Sequence, residues 1–161
     1  MHPFRVGFGY DVHQLAEGYD LWLGGIKVNH HLGAVGHSDA DVVLHVICDA
    51  LLGAANLRDI GYHFPDTDPA YKGIDSKILL RETMRIVREA GFELGNVDVT
   101  LALQRPKVKD YIPAMCACIA ETAEVELNQV SVKATTTEKL GFVGEEKGVS
   151  AYAVVLIYQR V

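Results

Sequence analysis

Near the amino terminus, in GYDVHQL at residues 9–15, an aspartate and a histidine stand two positions apart, Asp11 and His13. They follow the apolar opening FRVGF, which reads as the start of a β-strand. In a strand, positions i and i+2 share a face, so a carboxylate and an imidazole project side by side while Val12 points away. Such a pair is either an ordinary hydrogen bond or two legs of a metal site. A third leg lies further along, where Asp41, His45 and Asp49 recur every four residues and form one stripe on a helix. Alone, that stripe reads as a solvated face. Joined to Asp11 and His13, His45 completes an Asp/His/His set, with a neighbouring carboxylate to hold its second nitrogen. Three protein ligands leave one position open, the pattern of catalytic rather than structural zinc. Nitrogen and oxygen donors suit zinc among several divalent metals.

Other stretches suit phosphate. In GHSDAD, Ser38 reads as a helix N-cap, with Asp41 completing the S-x-x-D capping pattern. The amides of Ser38, Asp39 and Ala40 then lie at the positive end of the helix, where a phosphate docks and His37 and the Ser38 hydroxyl donate. Taken alone, the motif reads better as a cap and nothing more. The loop RDIGYHFPDTDP carries Asp59, Asp66 and Asp68. Asx turns account for each of them, and so does a stiff, acceptor-rich loop that binds substrate hydroxyls. In KATTTEKLGFVG, consecutive threonines and backbone amides can wrap a phosphate, and Glu138 offers the hard oxygen that magnesium prefers. Three threonines are also good strand residues. Together these pieces indicate a metal and phosphate, and no particular reaction.

The elements that must position these residues follow from periodicity and punctuation. A strand covers residues 4–15 and a hairpin turned at Gly24 and Gly25 covers 20–28, followed by a loop over 29–37. Helices cover 38–56, 75–92 (closed by Gly91) and 107–125, the last with Pro113 near its first turn. Strands cover 96–104, 129–138 and 149–161, and the long polar stretch 57–73 is a loop of the kind that often carries function. The order predicts an α/β (α+β) fold, a mixed sheet with helices layered on one face, in a single domain over 1–161.

Composition narrows the function classes. The chain has 161 residues, 49% hydrophobic and 22% charged, enough for one well-filled core. A net charge of −6 argues against a nucleic-acid surface. An acidic protein that handles polyanions must supply positive charge locally, from metal ions, helix amino termini or a few lysines. No apolar run is long enough to span a membrane and the amino terminus lacks the features of a signal peptide. Cys48, Cys116 and Cys118 form no CxxC pair and read as reduced thiols, so a cytoplasmic setting is expected. On a helix Cys116 and Cys118 point about 200° apart, which argues against a shared metal.

The blocks GYDVHQL, GHSDADVVLHVICDALLGAA, DIGYHFPDTDPAYKGIDS, LGNVDVTL, RPKVKDYIP and VKATTTEKLGF, in this order and spacing, resemble the 2-C-methyl-D-erythritol 2,4-cyclodiphosphate synthases of the non-mevalonate isoprenoid pathway. The likeness runs from about Arg5 to Tyr158. It implies a phosphorus–oxygen lyase acting on 4-diphosphocytidyl-2-C-methyl-D-erythritol 2-phosphate. The substrate's own 2-phosphate attacks the β-phosphorus, expels CMP and closes a cyclic diphosphate. The resemblance implies zinc, or another divalent cation, held by Asp11, His13 and His45, with a substrate phosphate oxygen as fourth ligand. It implies magnesium (or manganese) on Glu138, and transition-state stabilisation by His37 and Thr136. Ser38, Asp59, Ile60 and Gly61 match contacts to the erythritol phosphate portion, and Phe64, Asp66 and Asp68 a further substrate-binding segment. Pro106, Lys107 and Lys109, with Thr135, Thr136 and Glu138, match the cytidine and diphosphate pocket, and Phe142 joins the substrate-binding set. A homotrimer with sites between subunits is implied, with neither nucleic acid nor membrane as partner.

Two segments depart from the family pattern. Leu103, Arg105 and Lys109 replace small or apolar residues in the cytidine segment. Glu145 replaces an arginine that in some members lines a cavity on the trimer axis and meets isoprenoid diphosphates; this argues against an anion site there, with Lys147 as partial compensation. Two other classes remain open from the residues alone: a zinc hydrolase with Asp49 as base, and a non-enzymatic trimer that binds nucleotides or prenyl diphosphates while the metal braces the fold.

Overall fold

The computed structural model describes residues 3–160. Strand β1 (Phe4–Glu17) alternates strictly: Gly7, Gly9 and Leu15 are buried on one face, with Asp11 and His13 half-buried beside them. Phe4, Val6, Phe8, Tyr10 and Val12 stand exposed on the other. Strands β2 (Leu21–Leu23) and β3 (Ile26–Val28) form the expected hairpin, with Gly24 and Gly25 both at positive φ. Strand β4 (Leu32–Val35) pairs with residues 14–17 of β1. This corrects the loop expected over 29–37. His30 and His31 hide the strand in the sequence, and Gly33 lets the chain pass close by: a Cβ there would come 2.0 Å from the Tyr19 carbonyl oxygen.

Helix α1 (Val42–Ala54) lies on β1 and on β7 (Gly148–Gln159), and all but two of its residues are buried. Strand and helix come so close that a Cβ on Gly7 would stand 2.0 Å from Ala50 O, and one on Gly9 2.3 Å from Val46 O. Two glycines therefore bring the strand bearing Asp11 and His13 against the helix bearing His45. The N-cap is Asp41, which accepts from Leu44 N–H, so Ser38 is not the cap. Ala40 at φ 58° breaks the helical path between the two. The solvated-face reading of the Asp41, His45, Asp49 stripe also fails, because Asp41 is fully buried and His45 is 9% exposed. Asp41 also accepts from Gly24 N–H at 2.9 Å and Gly25 N–H at 2.7 Å, tying the hairpin to the start of α1.

The expected loop over 57–73 contains a short helix, α2 (Ile60–His63), and one 3-10 turn (Pro69–Tyr71). Helix α3 (Ser76–Glu89) starts from the N-cap Asp75 and ends before Gly91, at φ +90°; it buries Leu79, Leu80, Met84 and Val87. Strand β5 (Phe92–Ala102), helix α4 (Ile112–Ala123, with proline in its first turn), strand β6 (Val130–Thr135) and the short helix α5 (Gly141–Gly144) precede β7. The main sheet runs β4-β1-β7-β5-β6, with only β5 and β6 parallel. Helices α1, α3 and α4 cover one face, so the α/β mixed-sheet expectation holds. The three cysteines are free, and burial pushes the Cys48 thiol up to about 12. Among the described residues no helix is long and apolar enough to cross a membrane.

Candidate metal centre and substrate cleft

Three donor atoms converge between β1 and α1. Asp11 Oδ2 lies 3.0 Å from His13 Nε2 and 3.2 Å from His45 Nδ1, and the two nitrogens are 3.1 Å apart. Four ligands about 2.0–2.1 Å from zinc in a tetrahedron lie about 3.4 Å from one another, so this triangle has close to the size of one tetrahedral face. Two imidazole nitrogens and a carboxylate oxygen directed at one point also form a donor set that suits a divalent cation. Among the described residues this is the one group of three or more His, Cys, Asp and Glu side chains close enough to share an ion.

The electrostatics agree. Burial works against charge on Asp11, but hydrogen bonds with His13 and His45 outweigh it and hold the carboxyl well below its usual range. Burial likewise opposes protonation of His45, and its bond to Asp11 outweighs burial and raises its pKa. The site thus attracts positive charge, a proton or a metal ion. The second nitrogen of His45 is not held by a carboxylate of its own helix. His45 Nε2 faces Ser76 Oγ at 2.8 Å and Ser38 Oγ at 3.0 Å. Asp49, expected in that role or as a base, accepts instead from Ile60 N–H at 2.8 Å and so anchors α2; burial raises its pKa.

A cleft of about 390 Å³ opens beside the triad, and His13, His37, Ser38, Ile60, Phe64 and Asp66 line it. Gly61 contributes to the same wall. His37 Nε2 donates to the Asp68 carbonyl at 3.0 Å, which ties the long loop across the cleft. Asp68 accepts from Ala70 N–H in an Asx turn, the simpler of its two readings. Asp59 precedes α2 without capping it through its side chain and is exposed. The triad, His37, Ser38 and the 60–66 segment are therefore brought together by one chain.

The remaining residues gather elsewhere. Pro106, Lys107, Lys109, Thr135 and Thr136 line a separate cavity of about 300 Å³ at the end of β6. Glu138 is exposed on the following turn at φ 54°. Phe142 is half-exposed and packs over Gly148. The register places Asp11 opposite Ala151, Ala151 opposite Leu101, and Leu101 opposite Ala134. Three strand spacings, about 14 Å, therefore separate the triad from the end of β6. Ser76, Asp39 and Asp41 carry much of the site's scaffolding, and sequence reasoning assigned Ser76 no role. Its one local signal is a serine at the first position of a helix already capped by Asp75.

The YgbB family matches residues 4–158, nearly the whole chain. The chain belongs to this family. It is 62% identical over 159 residues to the 2-C-methyl-D-erythritol 2,4-cyclodiphosphate synthase of Porphyromonas gingivalis, covering 99% of this chain and 98% of the relative. To the enzyme of that name from Parabacteroides distasonis it is 66% identical over 153 residues, 95% of each chain. Among solved structures, a CDP complex of IspF from Plasmodium falciparum superposes with a TM-score of 0.86 at 33% identity, over the full length of both chains. The bifunctional IspDF of Campylobacter jejuni gives a TM-score of 0.94 at 43% identity over 97% of this chain, which spans 42% of that longer protein.

Proposed function

We propose that this YgbB-family chain is a 2-C-methyl-D-erythritol 2,4-cyclodiphosphate synthase. It converts 4-diphosphocytidyl-2-C-methyl-D-erythritol 2-phosphate to the cyclic diphosphate and CMP in the non-mevalonate isoprenoid pathway. The observation that carries this reading is the convergence of Asp11, His13 and His45 at the mouth of a cleft lined by His37, Ser38 and the 60–66 segment. A 2-phosphate oxygen bonds to the β-phosphorus, the bond from that phosphorus to the bridging oxygen breaks, and CMP leaves with that oxygen. The nucleophile is an ionised phosphate, so the chain needs neither a Ser or Cys nucleophile nor a general base. Its work is to fold the substrate into a ring-closing pose and to place charge and donors where negative charge gathers.

Asp11, His13 and His45 are the residues that would hold a divalent cation, and zinc suits them. When bound, that cation supplies local positive charge to a substrate phosphate inside an acidic protein. His37 and the Ser38 hydroxyl donate to the erythritol phosphate portion, and the 60–66 segment shapes the cleft that holds it. Residues 103–109 and 135–138 take the cytidine diphosphate, with Thr136 stabilising the transition state and Glu138 on magnesium. A complete site combines the triad of one subunit with the β6 end of its neighbour. Support comes from the roughly 14 Å separation within one chain and from the exposed apolar sheet face. There Phe4, Val6, Phe8 and Tyr10 lie beside Tyr152, Val154 and Tyr158. A trimer packed through that face covers it. Three free cysteines fit a cytoplasmic enzyme.

The test is incubation of the protein with the cytidyl substrate, zinc and magnesium, read by phosphorus NMR. Cyclic diphosphate and CMP in equal amounts are expected. A linear phosphate product would mark a hydrolase, and binding without turnover would mark a non-enzymatic nucleotide binder.

A further inference from the structure

Ser76 opens α3 and is fully buried, far in sequence from His45. It has no capping duty, because Asp75 caps the helix. A buried hydroxyl without a partner is costly, and Ser76 has two. Its hydroxyl donates to Asp39 Oδ1, and its Oγ lies 2.8 Å from His45 Nε2. Asp39 is fixed in turn, because its Oδ2 accepts from Ser76 N–H at 2.9 Å and its Oδ1 from Asp41 N–H at 3.1 Å.

A hydroxyl has one hydrogen. With that hydrogen given to Asp39, Ser76 offers His45 only lone pairs, so Nε2 must carry a hydrogen and donate. In the neutral ring the remaining lone pair then sits on Nδ1, the atom 3.2 Å from Asp11 Oδ2 and 3.1 Å from His13 Nε2. We infer that Ser76, oriented by Asp39, is a positioning residue that fixes the tautomer and ring plane of His45 so that Nδ1 faces the metal.

The same arrangement acts on Ser38. Its Oγ lies 3.0 Å from His45 Nε2 and accepts from Ala40 N–H at 3.2 Å. Ala40 N–H donates to that oxygen and the single Nε2 hydrogen of His45 is shared between Ser76 Oγ and Ser38 Oγ, so the Ser38 hydrogen is free to turn into the cleft toward an anionic acceptor. One half-buried carboxylate, Asp39, thereby sets the donor direction of Ser76 and, through it, of His45 and Ser38.

This inference rests on the metal-site reading, and the test keeps the two apart. Zinc affinity of the full-length, metal-free protein is measured by competition with a chromophoric chelator, using zinc ions alone. Wild type should bind one zinc per chain, and Ser76→Ala should bind it about 10- to 100-fold more weakly. Because Asp39 works through Ser76, the Ser76→Ala/Asp39→Asn double variant should lose little more zinc affinity than Ser76→Ala alone. Ser76→Ala affinity within about twofold of wild type overturns the positioning role. A wild type that takes up no zinc overturns the metal site itself, and the inference with it. Nitrogen-15 NMR of the zinc-loaded wild type needs no variant. His45 Nε2 should be protonated with Nδ1 on the metal, and an unprotonated or metal-bound Nε2 overturns the inference even where Ser76→Ala fails to fold.

Discussion

His45 is gripped from both sides, with Asp11 and His13 at Nδ1 and Ser76 and Ser38 at Nε2, whereas Thr136 and Glu138 stand exposed beyond the end of β6. The turn that carries Glu138 is not loose. Glu138 and Lys139 both adopt left-handed φ, a conformation that costs non-glycine residues of the order of 1 kcal/mol. Thr137 Oγ1 donating to Leu140 O and Lys139 N–H donating to Gln104 Oε1 hold it there. The first region is closed by hydrogen bonds within one chain, and the second is a hydrogen-bonded turn that leaves Thr136 and Glu138 exposed. The difference fits the proposed two-chain site, in which each chain would bring one completed half and offer the other to its neighbour.

Breaking the finished half should have the largest effect. His45→Ala is expected to lower turnover by at least about 10³-fold and to abolish stoichiometric zinc binding; zinc retained at one per chain would remove His45 from the ligand set. The approach of β1 to α1 is the next most sensitive point. Gly9→Ala places a Cβ 2.3 Å from the Val46 carbonyl oxygen. It should cost about 3 kcal/mol, a fall of about 10 °C in melting temperature. An unchanged melt would show that the strand can back away from the helix without penalty.

The two-chain requirement is tested by mixing. Unfolding and refolding His45→Ala with Glu138→Ala in equal amounts should restore roughly a quarter of wild-type activity, because a quarter of the interfaces pair an intact triad with an intact Glu138. No recovery above the separate variants would place both halves of each site on one chain. By itself, Glu138→Ala should leave zinc in place and raise the magnesium concentration needed for half-maximal rate about tenfold or more. An unchanged magnesium titration would deny it that role.

The smallest effect concerns pH. The bond to Asp11 raises the His45 pKa, and a proton on Nδ1 excludes a metal from the same lone pair. Zinc affinity should therefore weaken as pH falls through that raised value, and a chelator should strip the metal more readily at about pH 5.5 than at about pH 8. Equal affinity at both would separate metal binding from the imidazole.

The triad was legible in the sequence because two local rules carried it: strand alternation at Asp11 and His13, and helical spacing around His45. Their convergence depends on Gly7 and Gly9, whose importance appears only once α1 lies across them. The helix start was misread because Ser38, Asp39 and Asp41 are all good capping residues, and the left-handed Ala40 that decides among them has no sequence signature. Strand β4 was hidden because its edge position needs backbone pairing with β1 more than an apolar pattern of its own. Ser76 lay beyond sequence reasoning for a simpler reason, since its partners Asp39 and His45 meet it only through the packing of α3 against α1.

Anomalous X-ray scattering at the zinc edge, on crystals of the wild-type protein grown with zinc, tests the metal centre most directly. One strong peak per chain is expected, about 2.0–2.2 Å from Asp11 Oδ2, His13 Nε2 and His45 Nδ1. Crystals soaked in zinc that show only solvent among those three side chains, or a peak that leaves His45 uncoordinated, would contradict the account.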